Sequence, residues 1–210
     1  MPRVAKLGRE EILDLATDEF WSHGYRAASM DGLVRAIGTT RARLYGEFGD
    51  KQGLFQAVLD RYAQRIVTEA LRPLDDPDAG LAGIDRYFRD LVVAVPGEQL
   101  LRGCLMTTTM AEVGEDLPQI TARVRTHLDR VTAALLAALN RARDRGELAE
   151  PIADLHTTAV GLATLAQGVW TCARAGVDAG VLITGVTALT DALRPPARPR
   201  TSRPVGTQQL

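Results

Sequence analysis

Histidine, cysteine and aromatic residues are scarce in this chain, and long apolar runs are missing. Its three histidines, His23, His127 and His156, are scattered over 210 residues. They form no His-Glu-x-x-His or Glu-x-x-His pairing, and no nucleophile motif or phosphate loop accompanies them. This excludes the common signatures of a metallohydrolase or a triad enzyme. His127 and His156 are too few to make a ligand set, so no metal and no cofactor is expected. Two cysteines, Cys104 and Cys172, have neither metal-ligand spacing nor the density of a disulfide framework. Aromatics make up only 5% against 46% apolar residues, so the core must be built from Leu, Val, Ile and Ala. That suits packed helices better than a β-sandwich. No stretch reaches the roughly 18 apolar residues of a membrane span. The opening Met1-Pro2-Arg3-Val4-Ala5-Lys6 leads into a charged helix without a secretory h-region, so a cytoplasmic location is expected.

Excess charge is missing too. The net charge is −1, and residues 1–53 carry eight basic and eight acidic side chains. Residues 54–193 carry 13 and 18, and four arginines with no acid follow Leu193. Nucleic-acid affinity would therefore depend on placement. Between Leu33 and Gly46 the charged residues are Arg35, Arg41 and Arg43, with no acid among them, a local positive face.

What the chain has in abundance is helical periodicity. Ile12, Leu13, Ala16, Phe20 and Trp21 mark one face of a helix from Arg9 to about His23, stopped by Gly24. Ser29 caps a second carrying Met30, Leu33, Val34 and Ile37. Gly38 ends it, and Thr39 or Thr40 caps a third running to Phe48. Asp50 caps a long fourth helix that Pro73 and Asp75-Asp76-Pro77-Asp78 close. Further helices span about 79–95, 99–113, 119–145, 152–175 and 179–193. The clearest carries Ile120, Val124, Leu128, Val131, Leu135 and Leu139 at steps of four and three. Three short helices followed by six longer ones make an all-α chain, and the Pro- and Arg-rich stretch 195–210 reads as a disordered tail.

Helix, short helix, glycine-containing turn, short helix is the pattern of a helix-turn-helix, and equally of an ordinary αα-hairpin. The third helix opens on Thr39, Thr40, Arg41 and Arg43, small or polar residues suited to base edges and phosphates, while Leu44 and Phe48 point to the core. The segment from Leu33 to Phe55, with Ala36-Ile37-Gly38, Leu44-Tyr45, Phe48 and Lys51 through Leu54-Phe55, resembles the signature of the TetR family of transcription regulators. With Phe20…Gly24-Tyr25 included, the resemblance covers about 45 residues, and chain length and helix number agree with the family.

The resemblance implies a nine-helix TetR-like architecture. Residues 1–53 would be a helix-turn-helix DNA-binding domain and 54–194 a helical ligand-binding and dimerisation domain. It implies double-stranded DNA, as a palindromic operator, for partner. The DNA contacts would be Ser29, Thr39, Thr40, Arg41, Arg43, Tyr45 and Lys51. Thr40 and Tyr45 would meet phosphates, Arg41 the backbone or a base, and Lys51 a phosphate assisted by its helix dipole. Arg43 replaces a small hydroxylic residue and has the reach to read guanine or to pair with a phosphate. Gly46 and Glu47 depart from the family pattern, and Glu47 sets an acid near DNA unless it faces away. Ala28 replaces a frequent threonine, leaving the second helix its Ser29 cap alone. Arg3, Lys6 and Arg9 form either a minor-groove arm or a solvated end.

The family's dimer interface falls on the last two helices, where Gly161, Ala163, Gly168, Val186 and Leu189 are candidates for close homodimer packing. An effector site lies among the central helices. Tyr87, Cys104, Met106, Met110, Gln167 and Trp170 are candidate lining, Met and Trp as adaptable wall and the polar groups for orientation. Gly103-Cys104-Leu105-Met106 with Ala111-Glu112-Val113 resembles a TetR subgroup that includes cysteine-based electrophile sensors. The expected function is a homodimeric repressor released from its operator by a small apolar effector. A thiol-responsive repressor acting through Cys104 is the alternative, and a helical enzyme or adaptor is a reading of another class.

Overall fold

The computed structural model describes residues 7–93, 102–149 and 154–196. Among them the chain forms nine helices and no strand. The first three are α1 (Arg9–Ala27), α2 (Met30–Ile37) and α3 (Arg41–Phe48). The fourth, α4, runs as Lys51–Tyr62, a π-helical turn Ala63–Val67, and Thr68–Asp75. Then follow α5 (Leu81–Val93), α6 (Leu105–Val113), α7 (Pro118–Asp144), α8 (Leu155–Arg174) and α9 (Ala179–Asp191). The expected tail falls almost wholly on 197–210, outside the described residues, as do Arg3 and Lys6 of the expected arm.

Local chemistry explains most boundaries. Ser29, Thr40 and Asp50 each accept a bond from the backbone N–H three residues on, Gly32, Arg43 and Gly53. Each satisfies a donor that the helix leaves orphaned, a contribution of about 1 kcal/mol. Gly38 stops α2 in the left-handed region, φ 69°, ψ 35°, where its missing Cβ removes the steric penalty.

The helix expected over about 99–113 needs correcting: Gly103 at φ 70° and Cys104 at φ −87°, ψ 125° are not helical, and the helix starts at Leu105. Gly24 does interrupt α1 as expected: at φ 81°, ψ 170° its backbone is non-helical, and only one further turn follows the kink, to Ala27. Of the residues expected to close α4, Pro73 does not, whereas the helix does end where the Asp75-Asp76-Pro77-Asp78 run begins. Pro73 sits buried inside the last segment, which runs on to Asp75. Its ring forfeits one helical bond near an end, where few remain to lose. The kink at Gly24 is required twice over. Its backbone lies in a region essentially reserved for glycine, and an added Cβ would lie 1.8 Å from the Glu112 carboxylate. Gly24→Ala is expected to cost about 2 kcal/mol, read as a lower calorimetric melting temperature. An unchanged transition would show that alanine is tolerated.

Two packed units result. In the head, Ile12, Ala16, Phe20, Leu33, Ile37, Leu44, Leu54, Phe55 and Val58 close a core between α1 and α4, with α2 and α3 against it. In the body, α7 packs on α8 and on the second half of α4, while α5 lies against α4 and α9. The α7 stripe buries Ile120, Val124, Val131, Leu135 and Leu139, with His127 also turned inward and Leu128 only partly covered. At the π turn the Thr68 hydroxyl donates to the Ala63 carbonyl at 3.2 Å. Arg130 of α7 donates to it at 3.1 Å and to Thr68 Oγ at 2.9 Å.

Helix α6 touches both units. The Trp21 indole N–H donates to the Gly103 carbonyl just before α6 at 2.8 Å. At its other end the Arg26 backbone N–H donates to Glu112 Oε2 at 3.1 Å, and the guanidinium reaches the Glu112 carbonyl and Asp116 at 2.7 Å each. Arg102 pairs with Asp18 at 3.0 Å.

Candidate nucleic-acid interface

Helix α3 presents two faces. Leu44 is buried and anchors it on the head core, whereas Thr40, Arg41, Ala42, Tyr45 and Gly46 are exposed. Tyr45 is 41% exposed on this outer face. The exposed row opens at the helix N-terminus, where free N–H groups and the dipole favour an anion. Gly46 leaves open space about its Cα, so a neighbouring backbone can approach closely.

The expected contact residues divide by what they already touch. Thr40 stands exposed at the cap. Thr39 is half-buried, and Ser29 Oγ is exposed but engaged with Gly32 N at 3.0 Å. Arg41 pairs with Asp31 of α2 at 2.5 Å. Arg43 lies sideways, donating to the Leu7 carbonyl and standing 3.8 Å from Glu47. Glu47 also takes Arg9 at 3.4 Å, while that guanidinium stacks 4.7 Å from the Phe48 ring centre. Glu47 therefore faces away from the exposed row, toward α1. Lys51 departs most from its expected position. Its ammonium sits 4.5 Å above the Tyr25 ring and 3.5 Å from the Arg26 carbonyl. Burial lowers its pKa, an effect that Glu112 opposes. In the free protein it points into the joint with α6.

The body holds a cleft of about 210 Å³ between the start of α6 and the end of α8. Gly103, Cys104, Thr107, Thr108, Trp170 and Arg174 are among its lining residues. It is smaller than the about 300–1,000 Å³ of drug-sized sites. Of the expected lining, Cys104 and Trp170 are there, and Gln167 lies beside it, bonded to the Thr107 hydroxyl. Met106 and Tyr87 are corrections: at 1% and 3% exposure they pack in the core. Met110 packs partly buried against that core and does not line the cleft.

Behind the cleft lies a polar group that sequence reasoning left as an unremarkable residue. The Cys104 thiol stands 4.0 Å from His127 Nε2 and 3.8 Å from the Tyr62 hydroxyl. His127 Nδ1 is buried with no hydrogen-bond partner. Burial, with Arg130 adding to it, lowers the imidazole pKa to about 4, so the ring is neutral at physiological pH. Burial raises the Tyr62 and Tyr87 hydroxyls as well. No group of three or more potential metal ligands occurs among the described residues.

On the outer side, α8 and α9 leave Val160, Gly161, Gly168, Val181 and Leu189 exposed. Gly161, Gly168 and Leu189 are thus where a partner helix would find them. Ala163 and Val186 are corrections, since both face the protomer's own core at 5% and 6% exposure. Alternation of small residues along a helix does not tell which side faces the core.

This arrangement matches known proteins in sequence and in fold. Residues 12–58 match the family model described as bacterial regulatory proteins, tetR family, and residues 80–189 the tetracyclin repressor-like C-terminal domain. The HTH-type transcriptional repressor ComR of Escherichia coli (strain K12) is 31% identical over 171 residues, 81% of each chain. The HTH-type transcriptional regulator UidR of the same strain is 27% identical over 152 residues, 72% of this chain and 74% of its own. A cysteine-substituted CifR complexed with 26-bp operator DNA superposes with a TM-score of 0.80 at 24% identity, covering 91% of this chain and 99% of that one. No helix among the described residues is long and apolar enough to cross a membrane. With one family model over its head and a second over its body, the chain belongs to the TetR family of helix-turn-helix, DNA-binding transcription regulators.

Proposed function

We propose that the protein is a homodimeric repressor that binds a palindromic operator through α2 and α3 and leaves it when a small, mostly apolar molecule enters the cleft between α6 and α8. Residues 1–53 act as the DNA-binding unit and 54–194 as the sensing and dimerising unit. The chain works by binding, not catalysis, and in the cytoplasm, where its DNA is.

The observation that carries this reading is the position of α6. Residues at its start line the cleft and hold Trp21, while Glu112 at its end holds Arg26. A ligand that wedges the cleft open displaces α6 and with it the angle of the head. Ligand and operator then favour different conformations, which is what release requires. Dimerisation has support in the exposed stripe of α8 and α9, since two heads must meet paired half-sites for useful affinity. A covalent thiol switch at Cys104 has less support. A reactive thiolate needs a nearby cation and access, whereas Cys104 is 5% exposed and faces a neutral imidazole.

Selection from a random-sequence DNA pool, with light scattering on the bound species, tests the core of the reading. Two protomers on an enriched palindrome are expected. A monomer on DNA, or a pool without enrichment, would overturn it.

A further inference from the structure

Three of the cations around the recognition helix are held in ion pairs. Arg41 is paired with Asp31 at 2.5 Å, and Arg9 and Arg43 share Glu47 at 3.4 and 3.8 Å. Three positive charges beside α3 thus meet two carboxylates that the protein itself supplies. Glu47 is the more sheltered carboxylate, with its side chain 24% exposed against 66% for Asp31. Its position follows from helix geometry: Arg43 and Glu47 are four apart and share one face, with Arg43 beside Oε2, while Arg9 reaches Oε1 from α1 across Phe48.

We infer that Glu47, seconded by Asp31, sets DNA specificity by acting as a built-in counter-anion of the recognition helix. Non-specific affinity comes almost wholly from cations that take the place of the counterions along the phosphate backbone. A phosphate approaching Arg9 or Arg43 must displace a carboxylate that cannot diffuse away. That carboxylate then stands on the reading helix, repelling the duplex. Arbitrary DNA meets this penalty with no base contacts to offset it, whereas a cognate site supplies them. The neutral charge balance of residues 1–53 is on this view functional: it lowers affinity for bulk DNA while leaving the fork of Arg43 oriented between Leu7 and Glu47. Glu47 is therefore a positioning and specificity residue, not a DNA contact.

The inference rests on the proposed DNA-binding role, so its test begins with the unmodified protein on a random-sequence duplex across a salt series. Glu47→Gln keeps the shape and removes the charge. It is expected to tighten random-duplex binding roughly tenfold at moderate salt and to steepen the slope of log K against log salt by about 0.9 per arginine set free. Asp31→Asn should act in the same direction and less, because its carboxylate is already screened by water. The double variants Glu47→Gln/Arg43→Ala and Glu47→Gln/Arg9→Ala should fall back toward the unmodified protein, a response that a mere change in folding would not give. Equal affinity and slope for Glu47→Gln, with an unchanged melting curve, would overturn the inference and leave the regulator reading intact. A change in preference at a single base without a change in slope would also overturn it, making Glu47 a direct reader. Failure of the unmodified protein to bind any duplex at low salt would overturn the DNA-binding reading itself.

Discussion

Replacing Phe55 by alanine is expected to destabilise the protein by about 3–5 kcal/mol, the usual cost of emptying a large aromatic site in a closed core. The ring is fully buried, 4.6 Å from the Phe20 ring centre and 4.8 Å from that of Tyr25. These three side chains tie α1 to α4, and Tyr25 is also the surface on which Lys51 rests. A loss of that size is a large part of the about 5–15 kcal/mol that stabilises an ordinary domain. Calorimetry should show the head melting before the body, with DNA binding lost together with the head. Phe55→Leu retains most of the volume and should restore most of the loss. A Phe55→Ala protein that melts within a degree or two of the parent would mean that the cluster contributes little beyond filling space.

The second large effect is a pH dependence centred on His127. An imidazole in the unfolded chain takes up its proton near pH 6.5, whereas burial holds the folded one neutral until about pH 4. Between those values the unfolded state binds more protons, so folding stability falls as pH drops from about 6.5 to about 4 and is flat on either side. The full swing from this group is about 3 kcal/mol. The Cys104 thiol, itself bonded by the Tyr62 hydroxyl, faces the ring, and Arg130 on the same helix disfavours the charged form. His127→Leu removes the titrating group and an unpartnered polar atom together. Its stability should exceed the parent's at pH 5 and change little between pH 4 and 6.5 beyond what surface carboxylates contribute. Parallel pH profiles for parent and variant would assign the dependence elsewhere.

Much of the head could be read from the chain itself, because its determinants are local. Ser29, Thr40 and Asp50 announce their helices by residue type, and Leu44 with Phe48 separates the inner face of α3 from the outer. What the sequence hid was decided by distant neighbours. Gly24 reads as a stop, but the Glu112 carboxylate 88 positions away, which leaves no room for a side chain there, does not show in the sequence. Lys51 reads as a phosphate ligand, and the Tyr25 ring on which it rests in the free protein leaves no mark in the sequence. Arg43 and Glu47 stand at pairing distance in sequence, yet the Leu7 carbonyl that completes the arrangement leaves no pattern. In the body the periodicity that locates α8 and α9 leaves their facing undetermined, so Ala163 and Val186 read as dimer-interface candidates while both pack inward. Met106 and Tyr87 failed for a related reason, since a soft or amphipathic residue suits a pocket wall and a core equally well. His127 could have been noticed as the polar residue interrupting the apolar stripe of α7.

The π turn in α4 has a bearing on how the two units are oriented. A regular helix advances about 100° per residue, so the single residue that the turn accommodates offsets everything beyond it by roughly that angle. Up to Tyr62 the helix directs Leu54, Phe55 and Val58 into the head, and past the turn Leu71 and Leu74 look into the body. The turn therefore works as a vernier on one continuous rod. It sets the azimuth at which each reading head leaves its body, and Arg130, clasping Ala63 and Thr68 together, holds that setting from outside the helix.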